Sequence, residues 1–379
     1  MTRPFEGIRI IDATHVLAGP FAAYQLGVLG AEVIKVEHPQ DPDQSRLTGT
    51  DRALNRKLMG TSYLTQASNK RSLTLDLKQE EGREIFRRLV ARADVLVENY
   101  RPGAFAALGL GYEAMAALNP RLIYCSISAF GQQGPRGEQT AYDHVIQATS
   151  GLMATTGTPE VNPIKFGAPA VDYATGTMGA FALSAALFQR EKTGRGQYID
   201  LAMLGVAMML MGSHLTGYLR NGVEPKPSGN KQPFATNSCY PTKDGLLMLG
   251  ASNLRQQRRL WLVLEQPEMA KRDNEARESD REREAALVGV LRMLDLDDLG
   301  AEHAELIGGE RARQHVRRVD DADTLERPGH AALLSFCFCR PGGGRDPLSA
   351  SSPPQAAART MERLRQFVRR PGGPRPSPG

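Results

Sequence analysis

The sequence predicts an α/β fold, a mainly parallel sheet covered by helices, followed by a smaller second domain. Two observations carry this. Short β-branched runs alternate with helical segments through the first half of the chain, and beyond residue 215 the chain becomes turn-rich with short strands. GIRIIDAT (7–14) reads as a buried strand, FAAYQLGVLGA (21–31) as a helix closing at Gly30, and EVIKVE (32–37) as a second strand. SLTLDLK (72–78) has strand character and leads into a charged amphipathic helix, QEEGREIFRRLVARA (79–93). DVLVEN (94–99) and RLIYCSISAFG (121–131) are further strands, separated by AFAALGLGYEAMAAL, a helix with a glycine break. A long helix follows Asp172 and ends at Gly194, a C-cap preceded by basic residues. The apolar run IDLAMLGVAMMLMGSHL (199–215) is interrupted by glycine and predicts a buried helix. Segment 221–253 opens the smaller domain, and 268–291 is a charged helical stretch.

Composition excludes several classes of function. The chain has 379 residues, 41% of them hydrophobic, a net charge of +5 and a pI near 9.0. Its basic residues form no compact patch with interleaved aromatics, which argues against nucleic-acid binding; a modest positive balance suits an anionic small molecule. Neither a signal-peptide h-region nor a membrane-length apolar run is present, so a cytoplasmic location without membrane association is expected. The four cysteines, at 125, 239, 337 and 339, lack the spacing of a zinc site or a disulfide framework, and no metal is expected. The first strand–helix turn, ATHVLAGPFAA, carries one glycine rather than G-x-G-x-x-G, which disfavours NAD.

In such sheets ligands bind beyond the carboxyl ends of the strands. That rule brings HVLAGP, EHPQ, ENYRPG and AFGQQG toward a common site. A lone acid, Asp172, lies among small residues in KFGAPAVDYATGTMGAF (165–181). It fits a helix N-cap, and it equally fits a nucleophile kept ionised by the helix terminus.

These stretches resemble the class III CoA-transferases, the family of formyl-CoA transferase and carnitine CoA-transferase. The resemblance lies in VLAGPFAAYQLGVLGAEVIKVEHP (16–39), SNKRSLTLDLK (68–78), DVLVENYRPGA (94–104), GAPAVDYATG (167–176), KTGRGQYIDLAM (192–203) and PSGN…DG (227–245). It implies a Rossmann-like large domain (1–220), a smaller domain (221–290) and a homodimer of interlocked chains. It also implies an enzyme that moves CoA, as an acyl-CoA substrate, to a carboxylic acid through an anhydride and a thioester on Asp172. Val16, Ala18, His38, Leu75, Asn99 and Tyr100 are the CoA contacts it carries over, while Gly167, Ala168 and Gly176 would admit a close thioester. Two positions depart from formyl-CoA transferase: Leu17 replaces a glutamine, which argues against oxalate as acceptor, and His38 replaces an arginine. An α-methylacyl-CoA racemase is the alternative. Racemases pair the shared aspartate with a histidine, but Tyr142 stands at that position here and His144 is out of register. Asp143 matches an acid in the transferases.

The segment from 291 departs from the resemblance. Residues 272–379 contain no lysine, and arginine, proline and glycine dominate the end of the chain. Such a tail has little to bury, predicts partial disorder and leaves an inactive CoA-binding relative as a further alternative. The mixture is that of a GC-rich gene read out of frame, and we expect a frame change near Leu291. Translating the other frames beyond codon 290 tests this: one of them should restore the family's Glu-Trp helix and closing Gly-Glu-His-Thr, and the absence of both would show genuine divergence.

Overall fold

Six strands form one parallel sheet in the order β3-β2-β1-β4-β5-β6: β1 Arg9–Ala13, β2 Glu32–Glu37, β3 Arg71–Thr74, β4 Val95–Glu98, β5 Ile123–Ser128 and β6 Gln197–Ala202. The computed structural model describes residues 2–231, 234–243, 245–270, 277–293 and 337–339. The expectations for the tail therefore fall almost wholly outside the described residues.

Because both faces of the sheet are covered, its central strands are buried on both sides and read as apolar runs. On one face Ile10, Val33, Val95, Ile123 and Ile127 pack against α1 (Ala18–Val28) and against the later helix that carries Asp172. On the other, Ile11, Val36, Leu96 and Tyr124 pack against α2 (Glu80–Val90), α3 (Ala104–Ala107) and α4 (Tyr112–Leu118) through Phe86, Phe105 and Met115. The alternation along each strand thus sends successive side chains to opposite cores.

Two further helices border the site, α5 (Asp143–Ser150) and α6 (Ala170–Thr193), the second packed on the α1 face of the sheet. Helix α6 ends at Gly194, whose φ of 70° closes it with an N–H bond to Arg190 O. Buried Arg190 pairs with Asp94 at 2.9 Å and so ties the end of α6 to the sheet. The opposite end is held by close packing. A Cβ on Gly176 would lie 2.7 Å from Ala18 O, so glycine lets α6 approach the start of α1. Gly176 is therefore a helix-packing glycine, whereas a Cβ on Gly167 would meet nothing within 4 Å.

The run 199–215 differs from its expectation as one buried helix. Its first residues complete edge strand β6, paired with β5 from Ile123↔Gln197 to Ser128↔Ala202. The remainder forms α7 (Met203–Leu210) and part of α8 (Gly212–Asn221), and Met208, Met209 and Leu210 are exposed. Apolar composition alone cannot separate a short buried strand from a helix, and here the strand claims the β-branched end.

The chain divides after Pro227 into two compact units. In the second, β7 (Cys239–Pro241), β8 (Leu246–Met248) and β9 (Cys337–Cys339) form an antiparallel sheet. Helices α9 (Leu254–Val263) and α10 (Arg277–Leu291) supply a core around Trp261, Leu260, Leu287 and Leu291. A capping box between Asn253 and Gln256 starts α9. Strand β9 falls within FCFCR (336–340), a run to which no element was assigned from the sequence.

Candidate active site

Strand order reverses between β1 and β4, and the crevice there opens as a cavity of about 450 Å³. Its wall comes from the loop after β1 (His15–Ala18), the loop after β4 (Asn99–Pro102), the end of β5 (Ile127–Ala129), the approach to α5, and Asp172. Of the seven residues expected at the site, Val16, Ala18, Asn99, Tyr100 and Asp172 share this cavity.

Leu75 and His38 lie elsewhere. Leu75 is buried in the core and donates its N–H to Glu37 O at 2.9 Å. His38 organises its own turn: Nδ1 accepts the N–H groups of Gln40 and Asp41 at 3.2 and 3.1 Å, and Nε2 lies 3.5 Å from Asp76.

Asp172 sits in the first turn of α6 but does not cap it; the N-cap is Pro169, which offers no side-chain bond. Asp143 from α5 does that work, its Oδ2 accepting the N–H groups of Val171 and Asp172 at 2.7 and 3.0 Å. Gln147 fixes Asp143 in turn. Its Nε2 donates to Asp143 Oδ1, and its Oε1 accepts the Phe166 N–H at 2.8 Å. With the Asp172 N–H spent on Asp143, the nucleophile candidate keeps its own oxygens for the cavity's contents. Burial, and secondly the charge of Asp143, push the Asp172 carboxyl up to about 7. Burial and the neighbouring acid thus act against the ionised form expected from the sequence at a helix terminus.

The loop after β1 is held just as closely. Asn99 accepts the His15 N–H and donates to His15 O, both at 2.8 Å, stitching the two loops across the reversal point. Val16 has a φ of 69°, the left-handed region, which costs a β-branched residue about 1–2 kcal/mol. Beneath it, burial disfavours the Asp12 charge, but the ammonium groups of Lys70 and Lys35 outweigh this and hold Asp12 down to about 2. Burial, with Lys35 second, lowers the His15 imidazole, so it stays neutral near pH 7. The Tyr100 ring meets His15 edge-on at 5.1 Å and is backed by Phe105. His15 and Arg101, both at the cavity, were not singled out from the sequence; each directly adjoins a motif residue that was.

A doubly covered parallel sheet with a cavity at its reversal point and a half-buried carboxylate beside it defines an α/β protein built to handle a small ligand. Comparison with known proteins narrows this further: the chain belongs to CoA-transferase family III, whose sequence profile matches residues 5–327. It is 39% identical to the succinate–glutarate CoA-transferase of Agrobacterium fabrum, over 78% of this chain and 74% of that one. It is 40% identical to the human succinyl-CoA:glutarate CoA-transferase, over 70% of this chain and 60% of that one. A crystal structure of a CAIB/BAIF family protein from Brucella suis superposes with a TM-score of 0.68 at 34% identity, covering 80% of this chain and 82% of that one.

The Asp172 environment makes a pH prediction. If Asp172 is the attacking carboxylate, the rate of reaction with an acyl-CoA rises with pH through an apparent pKa near 7. Asp143→Asn removes the neighbouring charge and should move that limb to lower pH, while burial still holds it above 3.8. Because the folded pKa is raised, this group's contribution to stability is complete below about 3.8 and is lost as pH rises through about 7. Rate profiles of both proteins check this; a limb near 4 in the unaltered protein would contradict it.

Proposed function

We propose that Asp172 is the nucleophile of a CoA transfer between an acyl-CoA and a carboxylic acid, carried out in the cavity at the β1–β4 reversal. The carrying observation is the half-buried Asp172 carboxylate in a cavity walled by the β1 and β4 loops. Family membership supplies the reaction class, and the human relative's name, succinyl-CoA:glutarate CoA-transferase, points to dicarboxylic acyl groups.

The chemistry divides one exchange into four displacements. The Asp172 carboxylate attacks the donor thioester carbonyl; the C–S bond breaks, leaving a mixed anhydride and CoA thiolate. The thiolate attacks the aspartyl carbonyl of that anhydride, releases the donor acid and forms an aspartyl-CoA thioester. The acceptor carboxylate then attacks this thioester and expels the thiolate again, giving a second anhydride. Thiolate attack on the acceptor's carbonyl yields the new acyl-CoA and returns Asp172 as a carboxylate. No proton needs to be moved and no ATP is consumed. A nucleophile of raised basicity suits the first step, and the protein must exclude water from two anhydrides and a thioester. Val16, Ala18, Asn99 and Tyr100 are the proposed CoA contacts. His38 and Leu75, just beyond the carboxyl ends of β2 and β3, are proposed as CoA contacts outside this cavity.

The racemase alternative requires a second acid/base group. His15 is the histidine at the cavity, and its imidazole is lowered by burial, but its backbone is tied into the loop. Transfer is favoured because the family match and the curated relatives point to it. A cytoplasmic setting is part of the same proposal, supported by cysteines whose spacing fits no disulfide framework. Among the described residues no helix is long and apolar enough to cross a membrane.

A homodimer is proposed as well. In the first unit Leu219 is 82%, Phe181 68% and Phe188 65% exposed, along with Met208, Met209 and Leu210. Large apolar side chains at this density on α6 to α8 mark a surface that another chain covers.

Two experiments test these proposals. Incubation with succinyl-CoA followed by hydroxylamine or borohydride should modify Asp172, detected by peptide mass spectrometry. Asp172→Asn should lower transfer at least about a thousandfold, as removal of a covalent nucleophile does. Modification of another residue with Asp172 untouched would overturn the assignment. Light scattering should give a dimer that survives dilution, and a well-folded monomer would contradict the proposed assembly.

A further inference from the structure

Val16 is a β-branched residue held in the left-handed region at the cavity wall, a conformation that persists only where its surroundings over-determine it. Those surroundings are specific. Both oxygens of Asp43 accept the Val16 N–H, at 3.1 and 3.2 Å, and Gln66 Nε2 donates to Val16 O at 2.6 Å. Asp43 is itself fixed from several sides. Lys35 Nζ lies 3.2 Å from its Oδ2, with both side chains only 1% exposed, and the same ammonium donates to Thr14 O at 2.7 Å. The N–H and hydroxyl of Ser45 donate to Asp43 Oδ1 at 2.9 and 2.7 Å.

Neither Asp43 nor Lys35 lines the cavity, so this ion pair acts on a ligand only through the loop it grips. A buried pair is weak evidence for stability, since desolvation offsets its attraction; a geometric role explains it better. Asp43 and Gln66 thus hold the N–H and the C=O of one strained residue, which lies in the cavity wall with Asn99 and Tyr100.

We propose that Asp43 is a positioning residue for acyl-CoA: anchored by Lys35, it locks Val16 in the left-handed conformation, so that the backbone of residues 15–18 stands preformed to receive the thioester substrate. This rests on the cavity being the acyl-CoA site. The clamp prepays an ordering cost that a relaxed loop would meet on binding.

The test measures CoA binding by titration calorimetry beside steady-state kinetics and thermal melting. Asp43→Asn should raise the Kd for CoA and the KM for acyl-CoA by about tenfold, with a smaller change in kcat. If Asp43→Asn does not fold, Gln66→Met removes the opposite bond to Val16 and should also raise the Kd. Normal CoA binding in a folded Asp43→Asn or Gln66→Met protein, with thermal melting as the check on folding, overturns the clamp. Failure of the unaltered protein to bind CoA overturns the acyl-CoA reading of the cavity and the clamp with it.

Discussion

The geometry of the site depends on the pair of hydrogen bonds from the Val171 and Asp172 amides to Asp143 Oδ2. They satisfy orphan donors of α6 from outside the helix, which frees Asp172 from acting as its own cap. The same contact puts two carboxylates close together; burial first, and then the Asp143 charge, raise the Asp172 carboxyl to about 7. A carboxylate at its ordinary value would be a weaker nucleophile, and one raised much further would be protonated at neutral pH.

Around this contact the fold supplies position. The reversal of strand order between β1 and β4 opens a crevice, and each loop bordering it is tied to another loop or to the sheet. Asn99 joins the β4 loop to His15, Asp43 grips Val16, and Gly176 lets α6 approach Ala18 closely. Arg190 and Asp94 fix the far end of α6, so the helix is held at both ends and Asp172 lies at its constrained start. Buried charges serve the same purpose. Lys35 and Lys70 lie under the β1 loop, each paired with an aspartate and each donating to a backbone carbonyl of the loop or of α1.

Much of this was legible in the sequence because it follows from local pattern. The strands at 9–13, 32–37, 95–98 and 123–128 are apolar runs between turns, and the rule that ligands gather at carboxyl ends located the loops of Val16, Ala18, Asn99 and Tyr100. What escaped depends on distant residues meeting. Asp43 sits in a DPDQ turn that looks like any exposed acidic loop, yet it is buried against Lys35. The raised Asp172 carboxyl requires Asp143 to be brought beside it, and no spacing rule states that. His38 and Leu75 entered by resemblance, and a match of position does not say which way a side chain faces. Strand β6 was missed because IDLAM joins an apolar helix without a break, so composition ran the two together.

The central claim is that Asp172 is covalently bonded to the acyl groups during transfer, and oxygen labelling tests it most directly. In the proposed sequence the acceptor's carboxylate oxygen becomes the bridge of the second anhydride and stays on the enzyme when thiolate takes the acyl group. A single turnover with an acceptor acid labelled with heavy oxygen should therefore leave one heavy atom in the Asp172 carboxylate, found by mass spectrometry of the peptide containing it. Heavy oxygen absent from Asp172 after turnover, or present instead in Asp143, would contradict the account.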